Sequence, residues 1–559
     1  MFQQNRVIYS QITIVLGSLL LFLTFNGNLH LFDWDEINFA ESAREMIITG
    51  DYSTVMINFK PFWEKPPLFI WMQVISMKIF GINEFAARFP NAISGMLTLL
   101  FMFEAGRRRY GIRFGWIWVL SFAGSFLPFF YFKSGIIDPW YNLFIYGSIY
   151  TLIRYTDPQY NGNRILLTMG GGVLLGLAIL TKGPAGVLIA MLTILIILVI
   201  NRFKTHIQLR HVFIFTTATI LTGGSWFLHQ LLTGNGKVIM DFIEYQIRLF
   251  STEGAGHGGF FLYHFVVVLF GVFPASLFAL PALKFNKNLL PGQKHDAVWN
   301  IVILFTVLIL FTIVKTKIVH YSSLAYFPVT FLAALYLHNL LETRKKTSRI
   351  LALGIGIMVF VFLSILLFLS NLDAIKPYLI ENELIKDSFA KANLEADGGW
   401  SRMEWLSGMI LVSGFLGFIW FEKHSQTYKA IISLFGGSLM YIYLSIILFV
   451  PKIESYSQKA LIEYCQSKDP TISYIETLGF KSYAPLFYGR RVPPTLPTIS
   501  DLSANIEIPE NRELYIVMKI TRKLQYLEKY PQLEYLYEKN GYVFTYLNPN
   551  NLEESTLTH

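Results

Sequence analysis

Residues 350–371 read ILALGIGIMVFVFLSILLFLSN, without one charged side chain. At about 1.5 Å of rise per residue, such a helix is long enough to cross the hydrocarbon core of a bilayer. Working outward, apolar runs of similar length recur at about 7–25, 89–106, 114–132, 137–153, 165–180, 184–200, 212–232, 260–282, 298–314, 321–340, 403–421 and 428–450. With the first run they make about thirteen expected spans. The shortest are the pair either side of Thr181-Lys182-Gly183-Pro184. Hydrophobic types make up 53% of the 559 residues and charged types only 15%, too few for a water-facing surface. The single Cys465 allows neither an internal disulfide nor a zinc-ligand pair. The expected fold is mainly α, a polytopic membrane protein. No small-x-small cleavage site follows the first span, so it is expected to stay as a span rather than leave as a signal peptide.

The net charge of +9 could suggest nucleic acid, but its distribution fits membrane topology better. Basic residues gather in alternate loops: Arg107, Arg108, Arg109 and Arg113; Arg154 and Arg164; Arg202, Lys204 and Arg210. They recur at Lys284, Lys287 and Lys294; at Arg344, Lys345, Lys346 and Arg349; and at Lys423 and Lys429. The positive-inside rule makes these loops cytoplasmic, which predicts a cytoplasmic N-terminus and places 451–559 outside. Three outer loops are long, at about 26–88, 233–259 and 371–402. In the first, the spacing predicts helices over 36–48 and 68–80, both suited to lying in the membrane interface. Beyond residue 450 charge and Tyr rise and no run reaches spanning length. A helix is predicted over 456–466, strands over 471–476, 513–519 and 541–547, and mostly helix over 522–539. The chain thus divides into a membrane module, 1–450, and a small outer α/β domain, 451–559.

Polar residues that could carry chemistry concentrate on the outer side. Asp33-Trp34-Asp35-Glu36 follows the first span; Asp33 or Asp35 could cap the 36–48 helix, or a carboxylate here could act on a substrate. In Phe62-Trp63-Glu64-Lys65-Pro66-Pro67 the prolines stiffen the backbone. Lys65 could hold a lipid phosphate with Glu64 binding a divalent metal against it, or the pair could be a snorkelling Lys beside a solvated Glu. Asp138, in the helix-starting Asp138-Pro139, sits at bilayer depth where a carboxylate needs a partner, and Lys182 is the candidate. Arg248, Glu253 and His257 occupy the 233–259 loop, where Gly254, Gly256, Gly258 and Gly259 suit a lid. Lys315, Lys317, His320 and Tyr321 sit between two spans, placing two lysines against the charge rule; an anionic ligand or a headgroup contact would explain them.

No nucleotide-binding loop, dinucleotide fingerprint, HExxH or nucleophile elbow occurs. Nucleotide-driven transport and soluble-type hydrolysis therefore have no support, and no nucleotide cofactor is expected. A basic, aromatic outer face with carboxylates at the membrane surface suits a substrate with an apolar tail and an anionic head, such as a lipid-phosphate sugar.

At these residues the chain resembles the lipid A 4-amino-4-deoxy-L-arabinose transferases. They belong to the GT-C superfamily of polyprenyl-phosphate-sugar glycosyltransferases, which includes the protein O-mannosyltransferases. The resemblance runs through WDEINFAESAREM, GDY, FWEKPPLFIWM, FGINEFAARFPNAISG and GRRRYG. It continues through SGIIDPW, GLAILTKGPAGVLI, YQIRLFSTEGAGH, GVFPASLFALPAL and KTKIVHYSSLAYFP. It implies a thirteen-span module with juxtamembrane helices and an outer soluble domain. It also implies inverting transfer of a sugar from undecaprenyl phosphate to a lipid A-like, glycan or protein acceptor, in a bacterial inner membrane. By resemblance Asp35 is the reaction-centre carboxylate beside Glu36. Glu64 and Lys65 are the pair at the donor phosphate, with Glu64 and His257 able to share a metal such as Zn, Mg or Mn. His264 is the fallback histidine. Asp138 is a second family carboxylate with Lys182 as its charge partner, and Arg248 approaches the donor.

One departure stands out: Asn38 occupies the place of a family Arg expected to offset buried negative charge or meet an anionic acceptor. A hydroxyl acceptor then gains weight, and it would need a general base, for which Asp35 is the candidate. Two other classes explain part of the pattern. A flippase of lipid-linked sugars would use the spans and the phosphate site, but needs polar access from both sides. A silent scaffold would have no use for Asp35-Glu36 or Glu64-Lys65.

Overall fold

The computed structural model describes residues 2–205, 207–251, 259–284, 289–493 and 512–547. Among these, eight helices are long and apolar enough to cross a membrane: Gln4–Leu23, Glu84–Tyr110, Arg164–Lys182, Pro291–Ile313, Val319–Thr343, Arg349–Ser370, Arg402–Lys423 and Thr427–Ser455. Two bent pairs pass the same test together, Leu209–Gly223 with Ser225–Leu232 at 50° and Tyr263–Gly271 with Ala275–Ala282 at 114°. The chain is a polytopic membrane protein. By length and composition the spans number up to ten, short of the thirteen expected. The other three expected segments are helical but shorter or more polar. The 114–132 run is split into Ile112–Ala123 and Phe126–Tyr131 at Gly124, where a Cβ would lie 2.6 Å from the Phe435 carbonyl oxygen. Ala185–Ile200 is a short apolar helix, and Asp138–Thr156 carries an acid at its start and Arg154 in its last turn.

The first long loop is built as a platform. Helix α1 (Phe2–Leu23) leads into α2 (Asp35–Thr49), a two-stranded hairpin β1 (Met56–Ile57) and β2 (Lys60–Pro61), and α3 (Leu68–Phe80). Asp33 and Asp35 do not cap α2: its N-cap is Trp34, with no side-chain cap bond. Asp33 instead accepts the Tyr483 backbone N–H at 3.2 Å on both oxygens, which ties the entry of α2 to the far end of the chain. The expected lid is mostly the amphipathic helix Lys237–Ser251. His257, Glu253 and Gly254 lie outside the described residues.

Beyond the last long helix, Lys459–Ser467 packs on a sheet of β3 (Ser473–Leu478), β4 (Glu513–Lys519), β5 (Leu533–Lys539) and β6 (Tyr542–Leu547). The order is β3-β4-β6-β5, with β3 and β4 parallel and the other pairs antiparallel. The helix expected over 522–539 stops at Lys529, and 533–539 is a strand. Asn540 and Gly541, at φ 50° and 79°, form the tight turn that folds β5 back on β6. The sheet and helix do not stand apart. Ile37, Ala40, Ala43 and Met46 of α2 share one buried apolar cluster with Leu461, Ile462, Val517 and Phe544 of the C-terminal domain.

Candidate active site

Two helix ends bring the first charged pair together. Pro139 favours a helix start at Asp138, and Gly183, at φ 114°, ends the helix that carries Lys182. A side chain at 183 would also press on Phe242, whose ring lies 2.9 Å from the Cβ position. Lys182 donates from Nζ to Asp138 Oδ1 at 2.7 Å, and the Asp138 carboxylate is buried. The same ammonium lies 5.6 Å from the Tyr321 ring centre and 5.9 Å from that of Tyr141.

From this pair the site extends toward α2. His320 Nε2 is 3.7 Å from Asp35 Oδ2. His320 also lies in the electrostatic reach of Asp138, Lys182 and Lys65. Asp35 keeps 41% of its side chain exposed, so it can meet an incoming molecule. On the other side stands Tyr245, from the helix Lys237–Ser251. Lys65 donates to its hydroxyl at 3.4 Å and sits 5.0 Å from its ring centre, and the Arg248 guanidinium is 5.5 Å from the same ring. Burial pushes the Tyr245 phenol up, and the charge and hydrogen bond of Glu64 add to this, so it stays a neutral donor between anions. Asp35, Glu64, Lys65, Asp138, Lys182, Arg248, His320 and Tyr321 therefore surround one patch of protein. It carries cations from three separate segments and carboxylates that are not all spent on them.

Glu36 and Lys317 do not join it. Glu36 is buried, pairs with Arg88 at 2.8 Å and accepts the backbone N–H groups of Phe32 and Gly135. Its negative charge is consumed in bolting the start of α2 to α4 (Glu84–Tyr110) and to the segment before Asp138. Lys317 donates to the carbonyls of Phe311, Thr312 and Val314 at 3.0, 2.6 and 2.6 Å and so closes the C-terminus of the Pro291–Ile313 helix. Lys315 is exposed. His264 is buried against the rings of Tyr263 and Phe311. Among the described residues no three His, Cys, Asp or Glu side chains converge to hold a metal ion. Of the expected metal ligands Glu64 is among the described residues and His257 is not. Asn38 is buried in α2 with its Oδ1 unpartnered among the described residues, out of reach of an acceptor. Negative charge along α2 is offset instead by Arg88 and by Arg44, which holds Glu41 at 2.6 Å.

Two contributors were not among the expected site residues. Tyr245 is one; its sequence signals are its place at the head of YQIRLFSTEGAGH and one turn before Arg248 on an amphipathic helix. The other is Tyr483 of the C-terminal domain. Its phenol is pushed up by burial and then by Glu64, Asp33, Asp35 and Tyr245, which places it at the rim of the same patch.

A family model described as dolichyl-phosphate-mannose-protein mannosyltransferase matches residues 64–226. An undecaprenyl phosphate-alpha-4-amino-4-deoxy-L-arabinose arabinosyl transferase of Proteus mirabilis is 28% identical over 335 residues, 58% of this chain and 59% of that protein. A Shewanella sediminis protein of the same name is 24% identical over 334 residues, 59% of this chain and 60% of that protein. The chain thus aligns with about three fifths of the length of these relatives. Crystal structures of ArnT from Cupriavidus metallidurans share its fold. The apo form superposes with a TM-score of 0.74 at 16% identity, covering 98% of this chain and 99% of that one. The form bound to undecaprenyl phosphate gives 0.72, also at 16%, covering 96% and 98%. With matching motifs in matching order, the chain is similar to these arabinosyl transferases over about three fifths of its length, and it shares the fold of the ArnT structures from end to end.

Proposed function

We propose that the protein is an integral membrane glycosyltransferase. It would move a sugar from a polyprenyl phosphate, undecaprenyl phosphate in the first instance, to a lipid A-like, glycan or protein acceptor. The observation that carries this reading is the convergence of Lys65 and Arg248 on Tyr245, beside an exposed Asp35 braced by His320. A phosphate seated against Lys65, Arg248 and the Tyr245 hydroxyl would be stabilised as the bond from the anomeric carbon to the phosphate oxygen breaks and its electron pair stays on oxygen. The acceptor's hydroxyl or amine would attack that carbon from the opposite side and give its proton to Asp35, inverting the configuration. His320 would hold the Asp35 carboxylate in place. The Asp138–Lys182 pair would keep a buried negative charge balanced next to it. The expected metal adds no step to this scheme.

In the same reading the membrane is a bacterial inner membrane, the N-terminus is cytoplasmic, and the outer domain faces the periplasm. Alternating basic loops support that orientation. Reporter fusions at residue 205 and at the C-terminus should report opposite sides, the first cytoplasmic. The transfer itself is tested with purified full-length protein in vesicles holding undecaprenyl-phosphate-linked sugar. Release of free undecaprenyl phosphate that needs an added acceptor, and that disappears in Lys65→Ala, supports the proposal. Donor moved between leaflets without being consumed would make the protein a flippase instead.

A further inference from the structure

Apart from the charged patch, the outer face carries a groove of about 660 Å³ between α3, the 51–54 loop and the start of the Ser225–Leu232 helix. That volume is in the range of a small-molecule site. Its floor is Trp71, Val74, Ile75 and Trp226. Both indole N–H groups are already spent, Trp71 on the Tyr52 carbonyl at 2.7 Å and Trp226 on the Ser53 carbonyl at 2.9 Å, so the rings offer the groove only apolar faces. At the rim stand Lys78 and the exposed His229. Lys78 rests 4.3 Å from the centre of the Tyr52 ring, and none of the lining residues is a carboxylate. Ile75 and Ile79 leave this side of α3 uncovered, at 61% and 66% exposure, as suits a helix in contact with lipid.

We propose that this groove seats an anionic phospholipid of the surrounding bilayer, one acyl chain on the tryptophan floor and the phosphate at Lys78 and His229. An apolar slot with a cationic mouth matches a molecule with both an acyl chain and a negative headgroup, whereas a polyprenyl tail has no charge for Lys78 to meet. The donor phosphate cannot serve both places. Lys65 precedes α3 and Lys78 lies in its last turn, about 15 Å further along at the helical rise. Seating the lipid has a consequence for the patch. Trp71, Trp226 and Gln230 all bond the Tyr52 and Ser53 carbonyls, so a lipid pressed on those rings braces the loop that leads through β1 and β2 to Glu64 and Lys65.

Native mass spectrometry of the full chain, released from vesicles of equal phosphatidylglycerol and phosphatidylcholine, tests this without any turnover. It therefore succeeds or fails independently of the sugar-transfer assay. The wild type should retain phosphatidylglycerol in preference, and Lys78→Glu should cut that preference by about fivefold or more. Ile75→Trp, placed at an exposed position to fill the groove, should lower total retained phospholipid with an unchanged unfolding midpoint. Equal retention of the two lipids by the wild type would overturn the proposal, as would an undiminished preference in Lys78→Glu. Displacement of phosphatidylglycerol by undecaprenyl phosphate, abolished in Lys65→Ala, would assign the groove to the donor tail and overturn it as well.

Discussion

Adjacent carboxylates at the start of α2 carry different duties, and burial separates them. Asp35 is exposed and faces His320, while Glu36 is buried on Arg88. Asp35→Asn and Lys65→Ala should each lower sugar transfer by roughly 10²-fold or more while leaving the unfolding midpoint near the wild type, read by product formation and by thermal scanning. Glu36→Gln should behave in the opposite way. It strips the counter-charge from a buried guanidinium, a loss of about 3–5 kcal/mol, and should show as lost folded protein on size-exclusion chromatography. Asp33 gives a pH signature. Burial lifts it from the ordinary 3.8 to about 6, against the bonds from Ser482 and the Tyr483 N–H that favour its charge. The folded protein holds this proton more tightly than the unfolded chain. The associated stability is thus full below about pH 4 and lost as pH rises to about 6. Asp33→Asn should flatten the unfolding midpoint across that window, and an unchanged slope would refute the assignment. At this scale the sequence was legible where backbone punctuation marked a helix end, as at Asp138-Pro139 and Lys182-Gly183. It misled at Lys317, whose position just past a helix end makes it a carbonyl cap before it is a ligand.

Among the elements, the C-terminal domain is fastened to α2 by buried charge. Arg491 donates to Glu476 at 2.5 Å, to the Ile475 carbonyl and to Asn58 of the hairpin at 3.2 Å, and its own carbonyl accepts from Arg44 at 2.7 Å. Burial raises the Glu476 carboxyl, and Arg491 opposes the rise. Arg491→Met should therefore leave Glu476 buried without a partner and cost about 3–5 kcal/mol. Limited proteolysis should then cut between Ser455 and Lys459, just past the last long helix, before the membrane helices are touched; equal resistance to protease would show that the apolar cluster alone holds the domain. Strand β5 shows why some elements escaped the sequence reading. LEYLYEK mixes Leu, Glu and Lys, good helix formers, and its strand identity comes from the Asn540-Gly541 turn and the partner it provides. Helices α2 and α3 were legible because their apolar spacing is local. The split at Gly124 was not, because the atom that demands it, the Phe435 carbonyl oxygen, is more than three hundred residues away.

For the molecule as a whole, the two ends of the helical bundle differ in kind. The patch around Tyr245 is partly open. At another set of helix ends Arg109 pairs with Asp157 at 2.7 Å and with Asp296 at 3.1 Å, while Arg154 holds Asp157 at 2.8 Å and His295 holds Asp296 at 3.0 Å. These pairs clamp the helices ending at Tyr110 and Thr156 to the helix starting at Pro291, on loops expected to be cytoplasmic. A flippase would have to break them in every cycle. Vesicles with donor lipid only in the leaflet facing the clamp should therefore show no turnover, and donor in the other leaflet should be consumed. Turnover of both pools at one rate would point to transport. The basic loops were legible in the sequence, and those at Arg109 and Arg154 gather at one end of the bundle. The shared core of α2 with the C-terminal domain was not, since no local pattern records a contact across four hundred residues.

That contact has a bearing on when the protein becomes competent. Leu31 donates its N–H to the Tyr488 hydroxyl, the Asp33 N–H goes to Gln458, and the Asp33 carboxylate holds Tyr483. The segment that aims Asp35 emerges from the ribosome early, yet its last supports are encoded more than four hundred residues later. At about 5–20 residues per second that gap is roughly 20 to 90 s of synthesis. Throughout it the carboxylate would lack its final bracing, so a half-made or prematurely terminated chain already seated in the membrane would not act on the lipids around it.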